Sequence, residues 1–462
     1  MSGGKSVLWR AELKATLALA WPMVLTNLAQ TAMGATDVLM LGWLGPDELA
    51  AGAVATNLYF LLFFIGFGLM LAIAPVLAEE IGAFKHEVRR VRQTVRHGLW
   101  LAILVPLPIW ALLWNGESVL LWTGQDPQTA ALAGIYLHAL QWALMPFYGY
   151  VVLRNFVSVK ERPMSAMIIT LCGVAFNALA NWVLIFGHFG FPAMGIQGSG
   201  LATTLTSCMM FLAMAGVVSL DRRFSRYHLF GRIWRIDPAQ FWRLLKLGAS
   251  IGLLLLFETA LFSISGLVMG NIGRDSVAAY AIALQLASIT FMIPLGLSQA
   301  ATVRVGLFYG AQEPDGMRRA GWTSFWLGTG FMAFAAMIMV SIPETLIGLF
   351  LDRNDPKAAP VFALAVGFLS FAALFQIVDG AQSVAGGMLR GLQDTRVPLI
   401  LGGIGYWGIG MPLGLWLAFE QGMQGKGIWL GLASGLAFVA LTLLWRWVRV
   451  TARPEHAAAP LP

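Results

Sequence analysis

Apolar residues in this chain run in unbroken blocks rather than in the alternating patterns of half-buried helices and strands. A helix needs about 20 apolar residues to cross a bilayer. Runs of that order fall near 15–41, 49–78, 96–115, 130–153, 164–187 and 195–220. A second set falls near 247–270, 277–303, 320–342, 360–389, 397–419 and 427–445. The pattern predicts an all-α polytopic membrane protein with twelve transmembrane helices. The first run holds Asn27, Gln30 and Asp37 and is too long for a signal-peptide core, so it is expected to be retained.

Composition supports lipid as the solvent: 58% of residues are hydrophobic and 11% charged, against about 25% charged in soluble domains. The net charge of +7 does not point to nucleic acid, because the bases alternate between loops. Lys5, Arg10 and Lys14 precede the first run; Lys85 to Arg96 follow the second; Arg154, Lys160 and Arg162 follow the fourth. Arg222 to Lys246 fill the centre, and Arg304, Arg318, Arg319, Arg390, Arg396, Arg446, Arg449 and Arg453 continue on the same side. Only Arg274, Arg353, Lys357 and Lys426 of the 30 Lys and Arg are left for the other side. The positive-inside rule then places both termini in the cytoplasm; the expected location is the inner membrane. Cys172 and Cys208, both within helices, read as small apolar fillers.

The chain repeats itself. GWLGPDELAAGAVATNL (42–58) and GNIGRDSVAAYAIALQL (270–286) align at an offset of 228 positions, and Gly82-Ala83 matches Gly310-Ala311. Leu153-Arg154 also pairs with Leu389-Arg390. Six helices per half is an even number, so the halves are parallel repeats. The expected organisation is a lobe at 1–220, a basic cytoplasmic linker at 221–246, and a second lobe at 247–462 with a short tail. Two such lobes can rock about a central cleft.

Within the hydrocarbon a charged side chain costs roughly 2.5–3.5 kcal/mol and is functional by default. In IGLLLLFETALFSI (251–264) the one charge is Glu258. At the helical rise it lies about 18 Å above Lys246, and Asp379 lies about 16 Å above Arg390, so both come near the midplane. No base lies in mid-helix in that half, so two uncompensated carboxylates call for a cation: a proton, a metal ion such as Na+, or a substrate ammonium. On helix 10, Gln376, Asp379, Gln382 and Ser383 share a face, as do Asn27, Gln30, Gly34 and Asp37 on helix 1, where Pro22 marks an expected bend. Asn177 and Asn181 are one turn apart on helix 5. Asp37 is nearer the outer end, about 8 Å from Gly42. The competing reading of each polar residue is interhelical hydrogen bonding. His138 reads as packing, and Asp47 and Asp275 as N-caps. No phosphate loop, no H-E-x-x-H and no soluble domain is present, so no enzyme is expected and uphill transport would run on an ion gradient.

MGATDVLMLG (33–42), NALANWVLIFG (177–187), FETALF (257–262), IPLGLSQAATVRVG (293–306) and VDGAQSVAGGMLRGLQDTRVP (378–398) resemble the multidrug and toxic compound extrusion family, closest to its bacterial NorM-like branch. The resemblance implies two six-helix lobes and export of cationic amphiphilic drugs or dyes in exchange for Na+ or H+, with no other cofactor. It carries the family's cation-site acids onto Glu258 and Asp379, its first-lobe acid onto Asp37, and its helix-5 amides onto Asn177 and Asn181. Phe375 stands where similar proteins have a tyrosine, and GASIG opens helix 7 where they have a proline, which weakens Na+ over H+ and any bend in helix 7. The expected partners are drugs and the lipid bilayer, with the chain a monomer. A lipid-linked intermediate flippase is the alternative, disfavoured because an anionic headgroup would call for embedded bases; a passive channel would not need paired acids.

Overall fold

The computed structural model describes residues 2–83, 88–231, 233–352 and 358–452. Of the loop bases, Lys85, Arg232, Arg353, Lys357 and Arg453 lie outside the described residues, as does the side chain of Lys5.

No strand occurs among the described residues, and twelve long helices follow the expected order. They are α1 (Ser2–Leu44), α2 (Pro46–Ala83), α3 (Val88–Trp114), α4 (Pro127–Val159), α5 (Met164–Phe186) and α6 (Gly195–Leu220). The second set is α7 (Pro238–Ile272), α8 (Arg274–Gly310), α9 (Pro314–Ser341), α10 (Ala359–Gly391), α11 (Arg396–Glu420) and α12 (Gly425–Ala452). Eleven are long and apolar enough to cross a membrane among the described residues; the 43-residue α1, with its polar face, is the long helix outside that set.

Helix starts follow local chemistry. Asp126 caps α4 by accepting from the Gln128 and Thr129 amides, with Pro127 next. The N-cap expectation for Asp47 and Asp275 is overturned. Gly45 and Gly273 hold the cap positions, and each aspartate sits inside the first turn, where its charge faces the positive end of the helix dipole. His138 packs as expected, stacked on Trp114 at 4.8 Å with Nε2 2.9 Å from its carbonyl. Cys172 and Cys208 are free thiols, Cys172 exposed.

The chain forms two compact units. The first is Leu25–Gly252; the second is Met1–Val24 with Leu253–Pro462. Each unit therefore takes part of α1 and part of α7. Within the second unit, α10 packs on α8, α9 and α12. The start of α1 is tied to it by a bidentate Arg304–Glu12 pair at 2.7 and 2.9 Å. The α11–α12 seam has backbone on backbone: a Cβ on Gly435 would meet the Gly405 carbonyl at 2.6 Å and Gly410 Cα at 2.8 Å. Ile404–Gly410 is wound as a π-helix, which sets Gly405 and Gly410 toward α12 although they are five residues apart.

In the first unit, α6 packs on α4 and α5. The start of α7 lies on α2, where Gly68 and Gly252 approach so closely that a Cβ on either would strike the other helix's backbone. The segment after α6 is strapped to α3. Arg92 and Trp100 donate to the carbonyls of Tyr227 (2.6 Å) and Ile233 (2.8 Å), and Arg96 to that of Gly231. His97 Nε2 accepts from the Asp237 amide at 2.9 Å. Positions 92, 96, 97 and 100 share one helix face, which explains the register. Trp100→Phe removes one such bond, worth about 0.5–1.5 kcal/mol. Limited trypsin digestion at Arg222, Arg223 and Arg226 is expected to run faster in that variant than in the parent; an unchanged cleavage rate would show that the strap does not hold the segment down.

Candidate functional site

The buried carboxylates separate into partnered and unpartnered groups. Glu12 pairs with Arg304, and Asp394 with Arg446 at 2.8 Å. Glu80, which the sequence reading did not single out, is 7% exposed and accepts from Thr94 (2.8 Å) and Gln240 (3.1 Å). These acids are satisfied, as buried polar groups ordinarily are.

Asp37 in the first unit is held by neutral donors alone. Asn181 Nδ2 donates to Oδ1 at 2.7 Å and Thr203 Oγ1 to Oδ2 at 2.9 Å. The same Asn181 amide bonds the Asn177 carbonyl at 3.0 Å, so the helix-5 pair and Asp37 come together. Asn177 Nδ2, Asn181 Oδ1 and Gln30 Nε2 are buried with no partner among the described residues. Thr203 was not legible from the sequence, since a threonine in an apolar helix ordinarily bonds its own helix's backbone. A hydrogen bond to a charged carboxylate is worth about 1.5–3 kcal/mol. Thr203→Val is expected to lower thermal stability by that order only while residue 37 is ionised. The same change on an Asp37→Asn background should cost markedly less, and equal costs on both backgrounds would mean a neutral Asp37.

The second unit brings Glu258 and Asp379 together from α7 and α10. Gln382 Nε2 lies 3.5 Å from Glu258 Oε1. Asp379 is 6% exposed and makes no hydrogen bond or ion pair among the described residues; its Oδ1 and the Gln382 Oε1 are buried without partners. Gln376 does not join them: its amide takes Thr290 Oγ1 at 2.9 Å and reaches the Met332 carbonyl at 3.4 Å. The Ser383 carbonyl accepts from Ser298 at 2.6 Å, joining α10 to α8. Phe375, one turn before Asp379, packs edge-on against Phe262 and Trp429 at 5.8 and 5.4 Å.

Two residues here were not expected at the site. Tyr406 of α11 is fully buried beside Gln382, and it lies close enough to both acids to interact electrostatically. It supplies the unit with a hydroxyl that Phe375 lacks. The other is Arg390. The expectation that no base lies inside this half is overturned, because Arg390 turns back along α10 with Nη1 3.8 Å from where a Gly386 Cβ would be, and Nη2 donates to Ser298 Oγ at 2.7 Å. Its position at a helix end concealed it, since long side chains on a helix lean toward the N-terminus. The ion pairs of the described residues do not include Glu258 or Asp379. Nor do three or more His, Cys, Asp or Glu side chains converge among the described residues.

The MatE family model matches residues 22–183 and 251–416, one segment in each half of the repeat. The chain belongs to the MatE family. A MatE protein of Mesorhizobium japonicum named "Probable multidrug resistance protein NorM" is 60% identical over 442 residues, covering 96% of this chain and 95% of the relative. A protein of the same name from Brucella suis is 49% identical over 451 residues, covering 98% and 96%. Among solved structures, a eukaryotic MATE transporter superposes with a TM-score of 0.86 over 97% of this chain and 99% of that one, at 20% identity. The fold of MatE transporters, with many membrane helices, is thus the fold of this chain. Both acid sites fall inside the matched segments.

Proposed function

We propose that this MatE protein is a multidrug antiporter of the inner membrane, both termini cytoplasmic, that exports cationic amphiphilic compounds in exchange for Na+ or H+. One observation carries the reading: among the described residues Asp379 is a buried carboxylate without a hydrogen-bond or ion-pair partner, beside a second acid, in a unit whose other buried acids are ion-paired. An embedded carboxylate left uncompensated by the protein is a site for a cation that comes and goes. The named relatives point the same way.

In the cycle, Na+ or H+ entering from outside neutralises the Glu258–Asp379 pair and a bound cationic drug leaves. When the pair is exposed to the cytoplasm the coupling ion departs, and the next drug binds. Expelling a monovalent cation from a negative interior costs about 2.3 kcal/mol per 100 mV, which one entering monovalent ion cancels. A sodium ion would take oxygen ligands from Glu258, Asp379, Gln382 and Tyr406; a proton needs the carboxylates alone. The lipid-linked flippase reading loses one objection, since Arg390 is an embedded base, but that base is outnumbered by the two acids of the same unit.

Ethidium efflux from proteoliposomes under a Na+ gradient alone, then a pH gradient alone, tests the reading. Efflux under one of them is expected; none under either gradient would reject ion-coupled export.

A further inference from the structure

Arg390 and the acid pair lie in one unit, and their directions differ. Side chains on a helix lean toward its N-terminus. The seventh and tenth helices cross the membrane in opposite senses, so Glu258 leans toward the end from which Arg390 reaches up, and Asp379 leans away. Arg390 interacts electrostatically with Glu258 and Tyr406, and Asp379 with Glu258 and Tyr406. Yet Arg390 is not locked to a carboxylate in the manner of Arg304 or Arg446. Its anchor is Ser298, fully buried, whose hydroxyl accepts from the guanidinium and donates to the Ser383 carbonyl.

We propose that Arg390 is the built-in counter-charge of Glu258, held beside it by Ser298 rather than clasped to it, so that the acid pair carries one net negative charge and takes one monovalent cation. The inference rests on the cation-coupled reading above and adds the number of ions. Two bare carboxylates would call for two cations; a fixed guanidinium already fills one place. Asp379, facing away from Arg390, is then the residue whose charge the mobile ion balances. Glu258 sits between a fixed and a mobile cation.

The internal repeat separates pairing from packing. Arg154 occupies the position matching Arg390, and the 228-residue offset that matches Gly42 with Gly270 sets Gln30 opposite Glu258. Arg154 is also buried, 5% exposed, with an unpartnered Nη1. An arginine at this place is therefore tolerated without an acid. Only in the second unit does the matching position on the other helix carry charge.

Charge-restoring double substitution tests the proposal. Glu258→Gln leaves the unit with Arg390 and Asp379 at net zero, and efflux is expected to fall by about tenfold or more. Adding Arg390→Gln returns the net charge to minus one, and Glu258→Gln/Arg390→Gln is expected to recover most of that loss. A double variant that reaches the membrane as well as the parent and stays as inactive as Glu258→Gln would overturn the counter-charge role. Wild-type efflux by Glu258→Gln alone would instead sink the cation-site reading itself. Arg390→Gln alone covers the case of a double variant that does not fold. Purified in detergent and titrated with NaCl against choline chloride, and with acid at constant salt, its net charge of minus two should bind Na+ or H+ more tightly or take a second one. Arg390→Lys should restore the parent's titration at least in part. Unchanged stoichiometry and midpoint in Arg390→Gln would make Arg390 a packing group.

Discussion

Asp379→Asn is expected to abolish efflux while leaving the protein in the membrane and no less stable. The two effects have one cause. A buried carboxylate with no hydrogen bond and no ion pair costs stability, and the isosteric amide removes that cost. The same amide cannot balance a cation. With an embedded charge worth roughly 2.5–3.5 kcal/mol, loss of the balancing acid lowers site occupancy by about 100-fold. Cells carrying Asp379→Asn should accumulate ethidium as cells without the transporter do, at equal expression, and the purified variant should melt at or above the parent's temperature. Such opposite signs are the mark of a residue kept for activity at the expense of stability. A variant that melts earlier and still exports would make Asp379 a structural group. Glu258→Gln should match it in efflux, although Gln382 and Arg390 give Glu258 company that Asp379 lacks.

Gly252→Val is expected to be the most damaging substitution outside the acid site. A Cβ there would meet the Ile65 carbonyl oxygen at 2.6 Å, and one on Gly68 would strike the Gly252 backbone. Backbone cannot swing aside as a flexible side chain can, so α2 and α7 must separate along the contact. Overpacking of this kind costs about 1–3 kcal/mol and occasionally more. Contacts between membrane helices depend on such close approach, because lipid provides no hydrophobic drive between them. Size-exclusion profiles from solubilised membranes should show Gly252→Val aggregated or absent. Gly216→Ala is the control: a Cβ there meets nothing within 4 Å, and alanine favours the helix by roughly 0.5–1 kcal/mol. A well-behaved Gly252→Val would mean that the α2–α7 contact is looser than the structure has it.

The residues legible in the sequence share a physical reason. Glu258 and Asp379 stand out because a charge amid leucine and alanine has no cheap explanation in hydrocarbon, and helical rise gives their depth from the chain alone. Asn177, Asn181 and Asp37 were readable as polar faces, and the structure joins them. Thr203, Ser298 and Tyr406 were not, because hydroxyl residues are common in membrane helices and nothing in their spacing marks the few that face a carboxylate. Arg390 misled by position: read as a loop base at the inner end of α10, it turns its guanidinium into the bundle.

Hydrophobic length needs no partner to act, because the transfer of each segment into lipid depends on that segment's own residues. For that reason the sequence by itself determined the helices, their order and the duplication, while orientation by loop charge and the depth of the embedded acids are expectations drawn from it. Hydrogen bonds and ion pairs are directional and are made between helices distant in the chain. Only the tertiary structure could decide that Asp37 is surrounded by donors, that Asp379 is left without one, that a base faces Glu258, and that α1 and α7 are each divided between two units.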